Sequence, residues 1–310
     1  MEEKDKKANP IYSENAYDDA FCTMEGLLDD LLIPFVSHMF GEQYDETAVV
    51  KRLRNEHYIQ HEDGSEEKRI TDSFFDITFN NVTKRYHLEC ESKKYDGTIL
   101  VRLFEYDTQI AKGTSEINLY KARFKFPDSG VLLLRQTSEA PKVATIEIEM
   151  PDGKEMSYKV PLVKMSDYDV EDIFREKLYM LIPFLIFNFE DQLPILDKSE
   201  EKINELLDIY KDIFERLENE HKIGNLSALS LSVIIKLTYS VAYKLTMKTD
   251  NVQKKVGDVM NGKILDLPEI RVFAQGKAEG RAEGEEERKT LELENERLRK
   301  EIEQLKAARK

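Results

Sequence analysis

Tryptophan is absent from the 310 residues, and cysteine occurs only twice, at Cys22 and Cys90. A disulfide-stapled scaffold is therefore excluded, and a chain of this length can bury a core without one. Cations are also short: 46 Lys and Arg face 61 Asp and Glu, a net charge of −15. Non-specific coating of nucleic acid needs massed Lys and Arg, so that class is disfavoured. No hydrophobic run is long. The most apolar stretch, Leu178 to Phe189, contains Pro183 and falls short of the roughly 20 residues of a spanning helix. It reads as a buried helix, and no membrane partner is expected. The opening MEEKDKKANP has mixed charge and no apolar core, so no secretion signal is expected, and the protein is expected to be cytoplasmic with reduced thiols. His57 and His61 lack the Glu of a His-Glu-x-x-His zinc helix and run into HEDGSEEK, which predicts a loop.

Four zones are present. After a flexible N-terminus, residues 1–16, the positions Phe21, Met24, Leu27, Leu28, Leu31, Leu32, Phe35 and Met39 recur at helical spacing, with a bend or break expected at Pro34. Strand signals begin at Arg69 and run to about Pro161, interrupted by a helix that places Ile99, Leu103, Tyr106 and Ile110 on one face. The hairpin signal TIEIEMPDGKEMSYKV falls in this zone. This predicts an α/β domain over 17–168 with a mixed sheet flanked by helices, followed by a helical region over 169–270. The tail has a Gly-rich low-complexity linker, 271–285, and then Leu291, Leu298 and Leu305 spaced by seven over 286–310. Asn295 and Ile302 take the a positions, so a short coiled coil and a homodimer are expected.

The stretch ITDSFFDITFNNVTKRYHLECES carries the chemistry. As a hairpin turning within Asn80 to Thr83, strand alternation puts Phe75, Ile77, Phe79, Tyr86, Leu88 and Cys90 on a core face. Asp72, Asp76, His87, Glu89, Glu91 and Lys93 fall on the other. Like charges across a sheet repel by about 0.2–1 kcal/mol per pair. A divalent cation such as Mg²⁺ would relieve this, with Lys93 adding positive charge for a phosphate. The alternative is a solvated, acidic sheet face. Arg102, on the following helix, can reach a phosphate.

The segments RITDSFFDI, YHLECES, DGTILVRLFEYDTQIA, VLLLRQTSEAP, IFREKLYMLIPFLIFNFE and QGKAEGRAEGEEE, in this order over roughly 17–285, resemble the Rpn family of recombination-promoting nucleases, also called PD-(D/E)XK nuclease family transposases. The resemblance implies a restriction-endonuclease-like core and a Mg²⁺-dependent DNA endonuclease linked to recombination or transposition. By it, Asp72 matches the first metal-binding acid and Glu89 the second. Glu91 stands where the family has Lys or Gln, and is expected to bind metal or polarise water. Lys93 would supply the missing cation, and Glu25 of the first helix would complete the site. The alternative it leaves is a catalytically weakened DNA-binding or regulatory protein acting through association.

The charge is unevenly placed. From Arg271 onward 11 basic residues balance 10 acidic ones, leaving 35 against 51 in the first 270, a net of −16. KRLR from Lys51 and KARFK from Lys121 are the basic runs expected to touch phosphates.

Overall fold

A computed structural model describes residues 16–53, 56–60, 66–70, 73–135, 137 and 139–261. In chain order it contains α1 (Ala16–Leu27), α2 (Asp29–Phe40), β1 (Val49–Arg52), β2 (Glu56–Gln60), β3 (Glu66–Ile70), β4 (Ser73–Phe79), β5 (Val82–Glu91) and α3 (Thr98–Gly113). There follow β6 (Glu116–Asn118), β7 (Lys121–Arg123), β8 (Asp128–Leu133), β9 (Val143–Glu149), β10 (Glu155–Lys164), α4 (Val170–Arg175), a 3₁₀ segment (Tyr179–Gln192), α5 (Leu193–Leu196), α6 (Glu200–Lys222), α7 (Ala228–Leu245) and α8 (Asp250–Asn261). The linker at 271–285 and the heptads at 286–310 lie outside the described residues.

The main sheet has six strands in the order β1-β4-β5-β8-β10-β9. It is mixed, as expected: the β5–β8 and β8–β10 pairs are parallel, while β1–β4, β4–β5 and β9–β10 are antiparallel. Its nucleus is the β4–β5 hairpin, closed by Asn80 and Asn81 at φ 50° and 61°. Positive φ at both central residues gives the twist that suits a two-residue hairpin, and Asn tolerates that region better than branched residues. The parallel β5–β8 pair requires a crossover, and α3 lies within it.

Alternation along the central strands splits the interior in two. Phe75, Ile77, Tyr86, Leu88, Cys90, Leu132 and Leu134 face α1, α2 and the helical region, and share one apolar core with residues as distant as Val256. The helical region thus covers the same sheet face as α1 and α2. Val131, Leu133, Val160 and Leu162 face the opposite way and pack under Ile99 and Leu103 of α3. At Gly130, on β8, an added Cβ would lie 2.4 Å from Met39 Sδ and 3.1 Å from Phe40 Cζ, so glycine is what lets α2 approach the sheet.

Several boundaries differ from the sequence reading. The first helical stretch breaks at Leu28 (φ −124°, ψ 87°), and Pro34 sits inside α2. Asp29 and Asp30 supply the acidic first turn of the new helix, a favourable match to its dipole. The segment beginning at Arg69 is two strands, β3 and β4, and the stretch with His57 is strand β2 paired with β3. The helix expected over Phe174 to Phe189 is instead α4 followed by 3₁₀ geometry, with Lys177 at positive φ between them. Every residue from Tyr179 to Phe187 is buried, so no amphipathic period marks the winding, and Pro183 has no N–H to give an α-helical ladder.

Candidate functional site

On the face of β5 that α3 covers, three successive inward positions are polar: His87, Glu89 and Glu91. The His87 ring is fully buried, with Nδ1 2.7 Å from Asp107 Oδ1 and Nε2 3.1 Å from Glu89 Oε1. Burial alone would lower its pKa, but the hydrogen bonds and charges of Asp107 and Glu89 outweigh that and raise it to about 9. The ring is therefore an imidazolium, donating from both nitrogens. Asp107 also accepts from Ser129 Oγ at 2.7 Å and from the Tyr158 hydroxyl at 2.8 Å. Burial, with Asp107 beside it, pushes the Tyr158 pKa up, which keeps the donating proton in place.

Beyond His87, Arg102 of α3 closes the row. Its Nη2 is 3.3 Å from both Glu89 Oε2 and Glu91 Oε2. The other oxygen of Glu91 accepts the Lys93 backbone N–H at 2.8 Å. Two cations, His87 and Arg102, thus meet three carboxylates, Asp107, Glu89 and Glu91, for a formal balance of −1. Glu91 and Arg102 open onto a pocket of about 180 Å³ lined also by Lys93, Lys94, Tyr95, Asp96, Thr98 and Ile99. The pocket lies at the N-terminal end of α3, where Asp96 Oδ1 accepts the Thr98 N–H at 2.9 Å and its hydroxyl at 2.6 Å. The 92–95 segment is held from behind: Arg135 donates to the Ser92 carbonyl and pairs with Glu190, and Tyr95 N–H donates to Thr137 Oγ1 at 3.2 Å.

This arrangement corrects the expected four-acid patch. Alternation does put Asp76 on the same face as Glu89, but Asp76 pairs with Arg85 at 2.7 Å. Arg85 is four residues from Glu89 along β5, about 13 Å at strand rise. Asp72 lies outside the described residues. Glu25 is a buried residue of α1 whose carbonyl accepts from Arg52, and Arg52, from the basic run at Lys51, pairs with Asp29. The repulsion that pointed to a metal ion is met by His87 and Arg102 instead. Among the described residues no group of three or more His, Cys, Asp or Glu is arranged to hold a metal. Glu89 and Glu91 are both engaged by Arg102, and the third expected metal ligand, Asp72, lies outside the described residues.

The sequence reading missed Asp107, Ser129 and Tyr158. A signal for Asp107 was there: it stands four residues after Leu103 and three before Ile110, an acid in the apolar stripe of α3.

No family model matches the chain, and no solved structure matches it. A CDC123-like protein of Acanthamoeba polyphaga mimivirus is 34% identical over 92 residues, which is 29% of this chain and 27% of that protein. The match spans well under a third of the viral protein's length. It overturns the expected kinship with recombination-promoting nucleases: the similar protein carries another family's name, and nothing found supports the PD-(D/E)XK, endonuclease, transposition or recombination assignments.

Proposed function

We propose that the protein is an enzyme acting on a phosphate-bearing small molecule, with its centre where β5 ends and α3 begins. The observation that carries this is the pairing of Glu91 and Arg102 on the wall of a pocket that Lys93, Lys94 and Thr98 also line. Three cationic side chains, Lys93, Lys94 and Arg102, are a chemistry suited to phosphate oxygens, while Asp96 holds the Thr98 N–H and hydroxyl beside them. Glu91, only 9% exposed, is held by the Lys93 N–H on one oxygen and Arg102 on the other. A phosphate that draws Arg102 toward the pocket frees that second oxygen to accept a proton from the substrate. The imidazolium of His87, fixed by Asp107, neutralises Glu89 from behind and leaves Arg102 able to move between Glu91 and ligand. Glu91 is thus the proton acceptor; Arg102, Lys93 and Lys94 hold the anion; His87 and Asp107 are positioning residues.

The test is calorimetric titration of the full chain with pyrophosphate and adenosine diphosphate, alongside Lys93→Ala, Lys94→Ala and Arg102→Gln. Each lost charge-assisted contact should weaken binding by about tenfold or more. Consumption of nucleotide followed by phosphorus NMR should stop in Glu91→Gln while binding persists. Absence of binding by the native chain, or binding indifferent to all three substitutions, refutes the assignment.

A further inference from the structure

Strands β6 and β7 form a ribbon that pairs with no other strand among the described residues. Its register sets Glu116 against Arg123, Ile117 against Ala122 and Asn118 against Lys121. Paired residues share a face and faces alternate along each strand. One face therefore carries Ile117 and Ala122, with Phe124 next in the same alternation. The other carries Glu116, Asn118, Lys121 and Arg123. Leu119 and Tyr120 form the tip, where the Tyr120 N–H donates to Asn118 Oδ1 at 3.1 Å.

The apolar side of this ribbon faces solvent. Ile117 is 75% exposed, Leu119 85%, Tyr120 91% and Phe124 53%, and the two tip residues are the most exposed large apolar side chains among the described residues. The base of the ribbon is anchored: Phe126 stacks on Phe104 of α3 at 6.2 Å and tilts against Tyr158 at 5.9 Å. A two-stranded ribbon with an unburied apolar face is marginal on its own, and contiguous exposed apolar surface marks a docking site. Charge identifies the partner's sign. Over residues 112–125 the four cations Lys112, Lys121, Arg123 and Lys125 face the single acid Glu116, a net of +3 in a chain whose net charge is −15.

From this we infer that the β6–β7 ribbon docks on an anionic phospholipid surface, its apolar face and tip entering the headgroup boundary and its basic residues remaining among the headgroups. Segregation of apolar and basic residues onto opposite faces decides for lipid. An interfacial element buries one face and keeps its cations on the other. A single-stranded nucleic acid needs cations and aromatic faces on one common surface, whereas Phe124 alternates onto the face opposite Lys121 and Arg123, and Tyr120 at the tip is the one ring left beside them. A second copy would bring two +3 ribbons together. The contact is with a membrane surface and adds no span, and it departs from the sequence expectation of no membrane partner.

The test is flotation of the full chain with phosphatidylcholine vesicles and with vesicles that also contain phosphatidylglycerol, at physiological salt. The native protein should float with the anionic vesicles. Binding should fall by at least about tenfold in L119S/Y120S and in K121E/R123E, the latter because each cation at an anionic surface is worth about fivefold. All four side chains are exposed, so unchanged melting temperatures serve as the folding control. The inference is overturned if the native chain does not float, if either double variant floats as well as native, or if the ribbon instead binds a single-stranded oligonucleotide or mediates self-association.

Discussion

Raising the pH should destabilise this protein through one residue, His87. Its folded pKa is about 9, against about 6.5 for an unperturbed imidazole, a difference of 2.5 units at about 1.4 kcal/mol each. A raised pKa means the folded state binds the proton more tightly, so the stabilisation is fully present below pH 6.5 and disappears as pH climbs through 9. The upper bound is on the order of 3 kcal/mol. Its source is geometric: deprotonation removes one of the two ring donors, leaving either Asp107 or Glu89 buried without its imidazolium partner. The assay is urea denaturation at half-unit steps from pH 6 to 10 for the native chain and for His87→Gln. Subtracting the two curves cancels the other groups that titrate in this window. The native chain should lose stability relative to the variant between pH 6.5 and 9, and Asp107→Asn should shrink the loss. A difference curve that is flat, or that rises with pH, would refute the reading of His87 as a buried cation.

Other consequences can be measured with the same denaturation assay. Replacing Asn80 with Val forces a β-branched residue to positive φ and should cost about 1–2 kcal/mol, whereas Asn81→Gly should be neutral or stabilising. Gly130→Ala should cost about 1–3 kcal/mol, because Met39 and Phe40 must yield to the new Cβ. The Tyr210 hydroxyl is buried with no hydrogen-bond partner among the described residues, and burial raises its pKa. Tyr210→Phe should therefore leave stability unchanged or increase it by up to about 1 kcal/mol.

The sheet was largely legible because its central strands alternate. Phe75, Ile77, Tyr86 and Leu88 mark one face, and the Asn-Asn turn fixes the register that carries His87, Glu89 and Glu91 to the other. Strand period says which way a side chain points, but not what crosses over it. That is why Arg102 and Asp107, which come from α3, decide the site's character and were undervalued by spacing alone. Four carboxylates on one face suggested a bound cation; beside two of them, Glu89 and Glu91, the fold places the cationic side chains of His87 and Arg102. The short strands β1 and β2 escaped notice because Val49–Arg52 and Glu56–Gln60 carry few apolar residues in alternation. The 3₁₀ geometry of Tyr179–Gln192 escaped because total burial erases the period that distinguishes one winding from another.

The pocket beside Glu91 and Arg102 is proposed to take a phosphate-bearing ligand. A crystal structure of the full chain soaked with pyrophosphate tests it most directly. Density is expected between Lys93, Lys94 and Arg102, with the guanidinium drawn away from Glu91. A pocket that stays empty, with Arg102 still bridging Glu89 and Glu91 under saturating ligand, would contradict it.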